Sequence, residues 1–395
     1  EFVYSFFGSN DWAYYFLSQI FVIISFIYVW KLANEIFENK VFCLISLIIL
    51  ESIFFFNFTT PEFNVNVSQL PFWAICVYFF WKAINLNRTS DWICLGIFSA
   101  LGFLSKYLFI YLLVTFFLYL LSNFKNNKKL IKNYFISVSV TFLILAPHFV
   151  WLYQNEFVTI FYGLNRSGLD QFSLINHFTY PTVFLIKQLI ILIPFFFSII
   201  MLIEKFNFKL NLKNKKILFL IFITLLPLSL ILLTSLLTGA KIRTMWMTPF
   251  YLFFGILFID VLKKNINLNK IKRFTITIAI LFFLSPSLYL FISFYDDKKR
   301  TDYPGREIAR LVQNKWDDNF QNEIKIVIGD EWSAGNLSYH LKSRPKWTND
   351  FKNKALKLET NEGVIYTGNP KILKSICPGI YGTIKPVGYC MIGHR

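Results

Sequence analysis

The stretch "KILFLIFITLLPLSLILLTSLLTGAKIRTMWMTPFYLFFGILFIDVL", residues 216–262, decides how the chain reads. Its two apolar runs, 216–237 and 244–262, are close to the ~20 helical residues that cross a bilayer's hydrocarbon core. Between them stand Lys241 and Arg243. A cation in hydrocarbon costs at least ~2.5 kcal/mol unless it reaches the interface or meets an anion. On a helix, residues two apart diverge by roughly 200° and share no ligand. Thr248-Pro249, however, reads as an N-cap followed by proline at the first helical position, which leaves "KIRTMWM" non-helical. In an extended segment the two cations face one side. They can then address one phosphate, the arginine through its planar fork and the lysine as a point charge. The competing reading has both side chains snorkelling to lipid headgroups.

The rest of the chain repeats this pattern. Its 395 residues are 55% hydrophobic and 20% aromatic, with 48 phenylalanines, far more apolar surface than one water-soluble core needs. The expected fold is an all-α polytopic membrane domain over 1–295 followed by a small extracytoplasmic α/β domain over 296–395. Ten apolar runs are predicted as spans, at about 11–30, 41–57, 67–85, 91–104, 107–121, 133–152, 181–203, 216–237, 244–262 and 274–295. The fourth and fifth are short and read as a tilted or a re-entrant pair, the latter tolerable only where protein covers the turn "LSKYL". Alternate connections, from "KLANEIFENK" to "KKNINLNKIKR", hold 18 of the 40 Lys and Arg residues, whereas the opposite ones hold only Lys106, Arg166, Lys241 and Arg243. By the positive-inside rule the basic set is cytoplasmic, and the amino end, the 153–180 loop and the tail lie outside. The net charge of +17 is spent on this orientation, and nucleic acid is set aside as a partner.

From about Asp296 the composition turns soluble. "GREIARLVQNKW" has helical spacing, and "EIKIVIGD" and "GVIYTG" read as buried strands. Cys43, Cys76 and Cys94 fall in apolar spans as small buried hydrophobes. Cys377 and Cys390 flank "PGIYGTIKPVGY" and read either as a disulfide, if that end is in an oxidising compartment, or as two free thiols.

Other candidates each carry two readings. Lys106, in "GFLSKYLF", either reaches the same anion or caps a helix end. Arg166, in "YGLNRSG", belongs to a loop that closes over a site or is ordinarily solvated. His148 is a substrate contact or a hydrogen-bonded structural residue. In "TTPEFNVNVSQLP", Thr60-Pro61 reads as a second cap-and-first-turn pair. Glu62 then either complements a helix dipole or accepts a proton, while Asn64 and Asn66 can hydrogen-bond a polar substrate. Trp246 and Tyr162 are candidates for sugar stacking, against the general enrichment of aromatics at membrane interfaces. Walker-type loops, HExxH, paired CxxC and GxSxG are absent.

"FFGSNDWAYYFLSQIF", "TTPEFNVNVSQLPFWAICVYFFWKA", "DWICLGIFSALGFLSKYLF", "PHFVWLYQNEFVTIFYGLNRSG" and "TGAKIRTMWMTPFYLFFG" together resemble bacterial members of glycosyltransferase family 39, the protein mannosyltransferase and aminoarabinose transferase relatives with the GT-C fold. The resemblance covers 1–295 and continues through "RTDYPGREIA" and "AGNLSYHLKSRP". It implies transfer of a hexosyl or pentosyl unit from a polyprenyl-phosphate donor to a lipid, glycan or protein acceptor, with inversion, at the periplasmic face of the bacterial inner membrane. Such enzymes carry a carboxylate in the first external loop, within an acidic motif followed by a "PPL" element. The chain begins at Glu1, so the expectation is an amino-terminal truncation that removes the first span and most of that loop, with Glu62 the best remaining carboxylate. The donor-phosphate residues expected are Lys241, Arg243, Lys106 and Arg166; the substrate contacts are Asn64, Asn66, His148 and Tyr162. No cofactor or metal ligand is assigned, and a divalent cation is left open. Besides the donor and acceptor, membrane lipids are the expected partners. Two alternatives stand beside this reading: a flippase or transporter of a lipid-linked sugar, and a non-catalytic glycan-binding relative. A transporter calls for polar residues through the midplane, where the spans offer little beyond Lys187.

Overall fold

The computed structural model describes residues 2–124, 127–168, 173–205, 210–295, 303–349, 362–384 and 386–394. The chain divides into two compact units, Glu1–Leu290 and Phe291–Arg395, so the division falls inside the last apolar helix rather than after it.

The first unit is helical. Its main helices are α1 (Asp11–Ile36), α2 (Lys40–Ile48), α3 (Leu70–Leu86), α4 (Thr89–Ser105), α5 (Ile110–Phe124), α6 (Lys128–Gln154), α7 (Val158–Arg166), α8 (Asn176–Ile191), α9 (Ile193–Ile200), α10 (Lys215–Thr238), α11 (Phe254–Leu262) and α12 (Ile271–Tyr295). Among the described residues five helical segments are long and apolar enough to cross a membrane, or seven if each bent pair is one span. This is fewer than the ten runs expected from sequence. Two of the remaining runs are the 17-residue helices Thr89–Ser105 and Tyr107–Asn123. The third, 41–57, breaks: α2 gives way to a 3-10 turn at Ile49–Ser52, Ile53 is extended, and a short helix follows at Phe54–Asn57. The polar residues Glu51, Ser52 and Asn57 explain the break, since the Ser52 hydroxyl donates to the Ile49 carbonyl and the Asn57 amide to that of Glu51. These bonds compete with a continuous helical ladder. The bent pairs are α8 with α9, by 40°, and the 3-10 helix Thr244–Tyr251 with α11, by 54°. Pro194, in the first turn of α9, lacks the N–H that would continue α8.

The core of this unit is aromatic. Trp73 is fully buried against Phe250 and Phe109, with ring centroids 4.7 and 5.5 Å away, and Phe80 packs on Phe116 at 4.2 Å. In lipid, where burial of apolar surface gives no drive, such close packing and small-residue contacts hold helices together. At Gly96 a Cβ would meet the Ser137 carbonyl at 2.6 Å, and the Thr141 hydroxyl donates to the Gly96 carbonyl, so α4 and α6 touch backbone to backbone.

Connections sort into two contacting sets. Lys82 pairs with Glu35 at 3.2 Å, Lys216 donates to the Ile36 carbonyl, Asn133 to the Asn87 side chain and Lys270 to the Ile203 carbonyl. All of these join basic connections to one another. The connections poor in charge likewise meet at Lys106–Asn66, Tyr107–Thr159 and Lys241–Ser167.

The second unit is a five-stranded mixed sheet, order β2-β1-β3-β5-β4, built from β1 (Ile324–Ile328), β2 (Lys346–Thr348), β3 (Gly363–Gly368), β4 (Ile380–Ile384) and β5 (Val387–Ile392). β1 runs parallel to β2 and β3; β5 is antiparallel to β3 and β4. Helices α13 (Gly305–Asp317) and α14 (Ser333–His340) bury Ile308, Val312, Trp316 and Leu337 against Val327, Ile365 and Met391. On β5, the short helix α15 (Pro370–Ile376) packs, and a Cys377–Cys390 disulfide ties its end to the strand. The bridge therefore joins helix to strand rather than closing the β4–β5 hairpin.

Candidate functional site

The site begins where α10 ends. Gly239 adopts φ +69° at the C-cap and donates its N–H to the Ser235 carbonyl, a left-handed stop that glycine makes without Cβ strain. The Ser235 hydroxyl then donates to the Ala240 carbonyl, and the Thr238 hydroxyl accepts from the Ala240 N–H, so the chain leaves the helix under control. Residues 239–243 are non-helical. Lys241 and Arg243 are exposed while Ile242 between them packs on the core. This alternation puts both cations on the solvent side, as an extended i, i+2 pair requires.

The expected cap at Thr248 is corrected. The 3-10 helix starts at Thr244 with Arg243, at φ −80° and ψ 133°, in the capping position, and Thr248 is buried inside it with its hydroxyl donating to the Met245 carbonyl. The sequence signal of a polar residue before proline is real but local; packing of Phe250 and Tyr251 into the core extends the turn upstream of it.

Two neighbours flank this segment. On one side the Lys241 N–H donates to the Ser167 carbonyl at 2.8 Å, docking the end of α7, where Arg166 holds the Tyr162 hydroxyl. The Lys241 ammonium stands 5.9 Å from the Tyr180 ring. On the other side the Lys106 ammonium lies 5.1 Å from the Trp246 ring and donates to the Asn66 side-chain oxygen at 2.5 Å. A half-buried cation over an indole gains roughly 0.5–2 kcal/mol, and a charged hydrogen bond about 1.5–3 kcal/mol; together these hold Lys106 against the cost of leaving water. The backbone N–H of Trp246 donates to the Arg243 carbonyl at 3.0 Å, within the first turn of the 3-10 helix. Lys106 also occupies the C-cap position of α4, its N–H bonded to the Gly102 carbonyl, as its helix-end reading expects.

Asn66 is buried, and its N–H donates to the Asn64 side chain, which also accepts from Val67 and caps the helix Val65–Ser68. The Asn64 amide donates to the Glu62 carbonyl. No helix starts at Thr60-Pro61; that cap expectation fails because the Thr60 carbonyl is claimed by the Ser18 hydroxyl and the Gln19 amide. Glu62 is exposed on the turn and is not in a helix's first turn, which removes the dipole account of it. His148 bonds the Tyr107 hydroxyl through Nε2 at 2.9 Å, and that hydroxyl meets Thr159 at 2.7 Å.

The nominated residues thus form two linked groups. Glu62, Asn64, Asn66 and Lys106 connect through Trp246 to Arg243, Lys241, Arg166 and Tyr162. His148 joins at Tyr107, next to Lys106. Sequence reasoning missed Tyr107, Thr159 and Tyr180, whose partners lie 41, 52 and 61 residues away along the chain; only Tyr107 had a local signal, its position beside Lys106. Among the described residues no group of three or more His, Cys, Asp or Glu is arranged to hold a metal ion.

Residues 1–151 match the family model described as dolichyl-phosphate-mannose-protein mannosyltransferase. That likeness points to a membrane glycosyltransferase of the GT-C kind. The matched stretch includes Glu62, Asn64, Asn66, Lys106 and His148, and stops before Tyr162, Arg166, Lys241 and Arg243. No curated protein and no solved structure matches the chain significantly.

Proposed function

We propose that this multi-pass protein transfers a sugar from a polyprenyl-phosphate carrier to a lipid, glycan or protein acceptor at the extracytoplasmic face of a bacterial inner membrane, with inversion. The observation that supports the reading is the non-helical segment 240–243, in which Lys241 and Arg243 are exposed and Ile242 is turned inward, with Ser167, next to Arg166, bonded to the Lys241 N–H and Lys106 set over the Trp246 ring. In this scheme the acceptor hydroxyl attacks the anomeric carbon as the bond from that carbon to the phosphate oxygen breaks. The phosphate leaves with the electron pair, and preorganised cations where water is scarce stabilise the charge it gains. Glu62 takes the acceptor's proton, and Asn66, positioned by Asn64, orients the sugar. The isoprenoid tail stays in hydrocarbon, which is why the site belongs at the rim of the helices. The Cys377–Cys390 bridge supports an oxidising compartment for the carboxyl-terminal unit, and the sorting of basic and charge-poor connections supports the orientation.

The test is reconstitution in vesicles with a radiolabelled polyprenyl-phosphate sugar. Release of free polyprenyl phosphate coupled to label on an acceptor supports transfer. Movement of intact labelled donor between leaflets, without bond cleavage, would replace the enzyme with a flippase.

A further inference from the structure

In the second unit the carboxyl ends of β1 and β3 lie side by side. β1 is flanked by parallel β2 and β3; the connection leaving β1 runs through α14 to β2, whereas that leaving β3 runs through α15 to β4 at the other edge, so the two part in opposite directions from adjacent carboxyl ends. Such a switch point is where open α/β sheets bind ligands. The residues there are Gly329, Asp330 and Trp332 after β1, Trp347 from β2, Thr367 from β3, and Tyr303 ahead of α13.

Their chemistry is selective. Gly329 has φ +156°, and a Cβ there would meet the Thr367 hydroxyl at 2.0 Å, so only glycine lets the loop after β1 close this tightly on β3. Thr367 is fully buried beneath it, and among the described residues its Oγ1 has no hydrogen-bond partner. The Tyr303 and Tyr389 hydroxyls are buried nearby, and burial first of all raises both above the ordinary tyrosine value. Trp332 and Trp347, each 38% exposed, flank the same loop: Trp332 meets the Tyr303 ring edge-on at 5.4 Å, and the Trp347 indole donates to the Gly329 carbonyl. Switch points usually attract phosphates, because a helix N-terminus points into them. Here one Asp330 oxygen accepts from the Trp332 and Ser333 N–H groups, both at 2.8 Å. The anion position is thus filled by the chain's own carboxylate, which repels a second anion.

We propose that this end of the sheet forms a crevice that binds a neutral saccharide: the indole faces stack on the apolar face of a pyranose, while the second Asp330 oxygen takes its hydroxyl groups. Aromatic walls with a few convergent polar groups are the general make-up of small-ligand sites. The proposal uses no residue of the membrane unit and holds whether or not its cations catalyse transfer.

The detergent-solubilised full chain is examined by saturation-transfer NMR against mannotriose, chitotriose and maltotriose, with inorganic phosphate as competitor. At least one trisaccharide is expected to bind at millimolar concentration, with loss of the signal in Trp332→Ala, partial recovery in Trp332→Tyr, and no competition by phosphate. The Lys241→Ala/Arg243→Ala double variant is expected to keep the signal, which separates this site from the donor site. Absence of binding by all three sugars, equal binding by Trp332→Ala, failure of Trp332→Tyr to bind while amide exchange over 324–341 stays native, loss of the signal in the double variant, or displacement by phosphate overturns the proposal.

Discussion

Single residues at the rim act in different currencies. Lys241→Ala and Arg243→Ala remove charge that matters when the phosphate departs, and each is expected to lower turnover by about 10²-fold or more while the protein inserts normally, measured as initial transfer rate per inserted molecule. Asn64 works mainly on the backbone as the cap of Val65–Ser68; Asn64→Ala is expected to cost about 1 kcal/mol of local stability, read as faster amide exchange at Asn66 and Val67. The buried tyrosines of the second unit give a pH signature. Burial, and then the neighbouring Asp330 charge, raise the Tyr303 hydroxyl above its ordinary value of 10.0. The folded unit therefore holds the neutral form more strongly than the unfolded chain does. That stability is complete below the unfolded value and is lost as pH rises above about 10 and through the folded one. Alkaline unfolding, followed by amide exchange over 303–341, is expected to shift to higher pH in Tyr303→Phe, provided Tyr389, raised likewise, is left in place. The Lys241–Arg243 pairing was legible because extended backbone has a period of two. Tyr180 over Lys241 was not, because contacts made across 61 residues leave no trace in local pattern.

Elements show the same division between local and tertiary causes. The strands "EIKIVIGD" and "GVIYTG" and the helix "GREIARLVQNKW" were readable from β-branched runs and apolar periodicity, and appear as β1, β3 and α13. The caps at Thr60 and Thr248 were misread because hydrogen bonds from α1 and packing of the 3-10 turn overrule the Thr-Pro signal. The run 41–57 looked like one span because hydropathy averages over Glu51 and Asn57, whose side chains or carbonyls redirect the backbone. Within the second unit, Cys377→Ser opens the bond between α15 and β5, whose cysteines are 13 residues apart. The expected loss is about 2–4 kcal/mol, measured as a lower denaturation midpoint for that unit; a non-reducing gel that shows two free thiols in the wild type would contradict the bridge.

At the scale of the molecule, basic connections touch basic connections and charge-poor ones touch one another, which a single sequence pass could anticipate only as alternating charge. The amino-terminal 151 residues carry the family likeness, while Lys241 and Arg243 come from beyond them, so the proposed donor site draws on distant parts of the chain. The account depends on those cations holding the carrier's phosphate. The direct measurement is binding of isotopically labelled polyprenyl phosphate to the purified chain and to its Lys241→Ala/Arg243→Ala variant, matched for insertion and folding. The account predicts saturable binding by the wild type that weakens at least about tenfold, or ~1.4 kcal/mol, in the variant; equal affinity in the two proteins would contradict it.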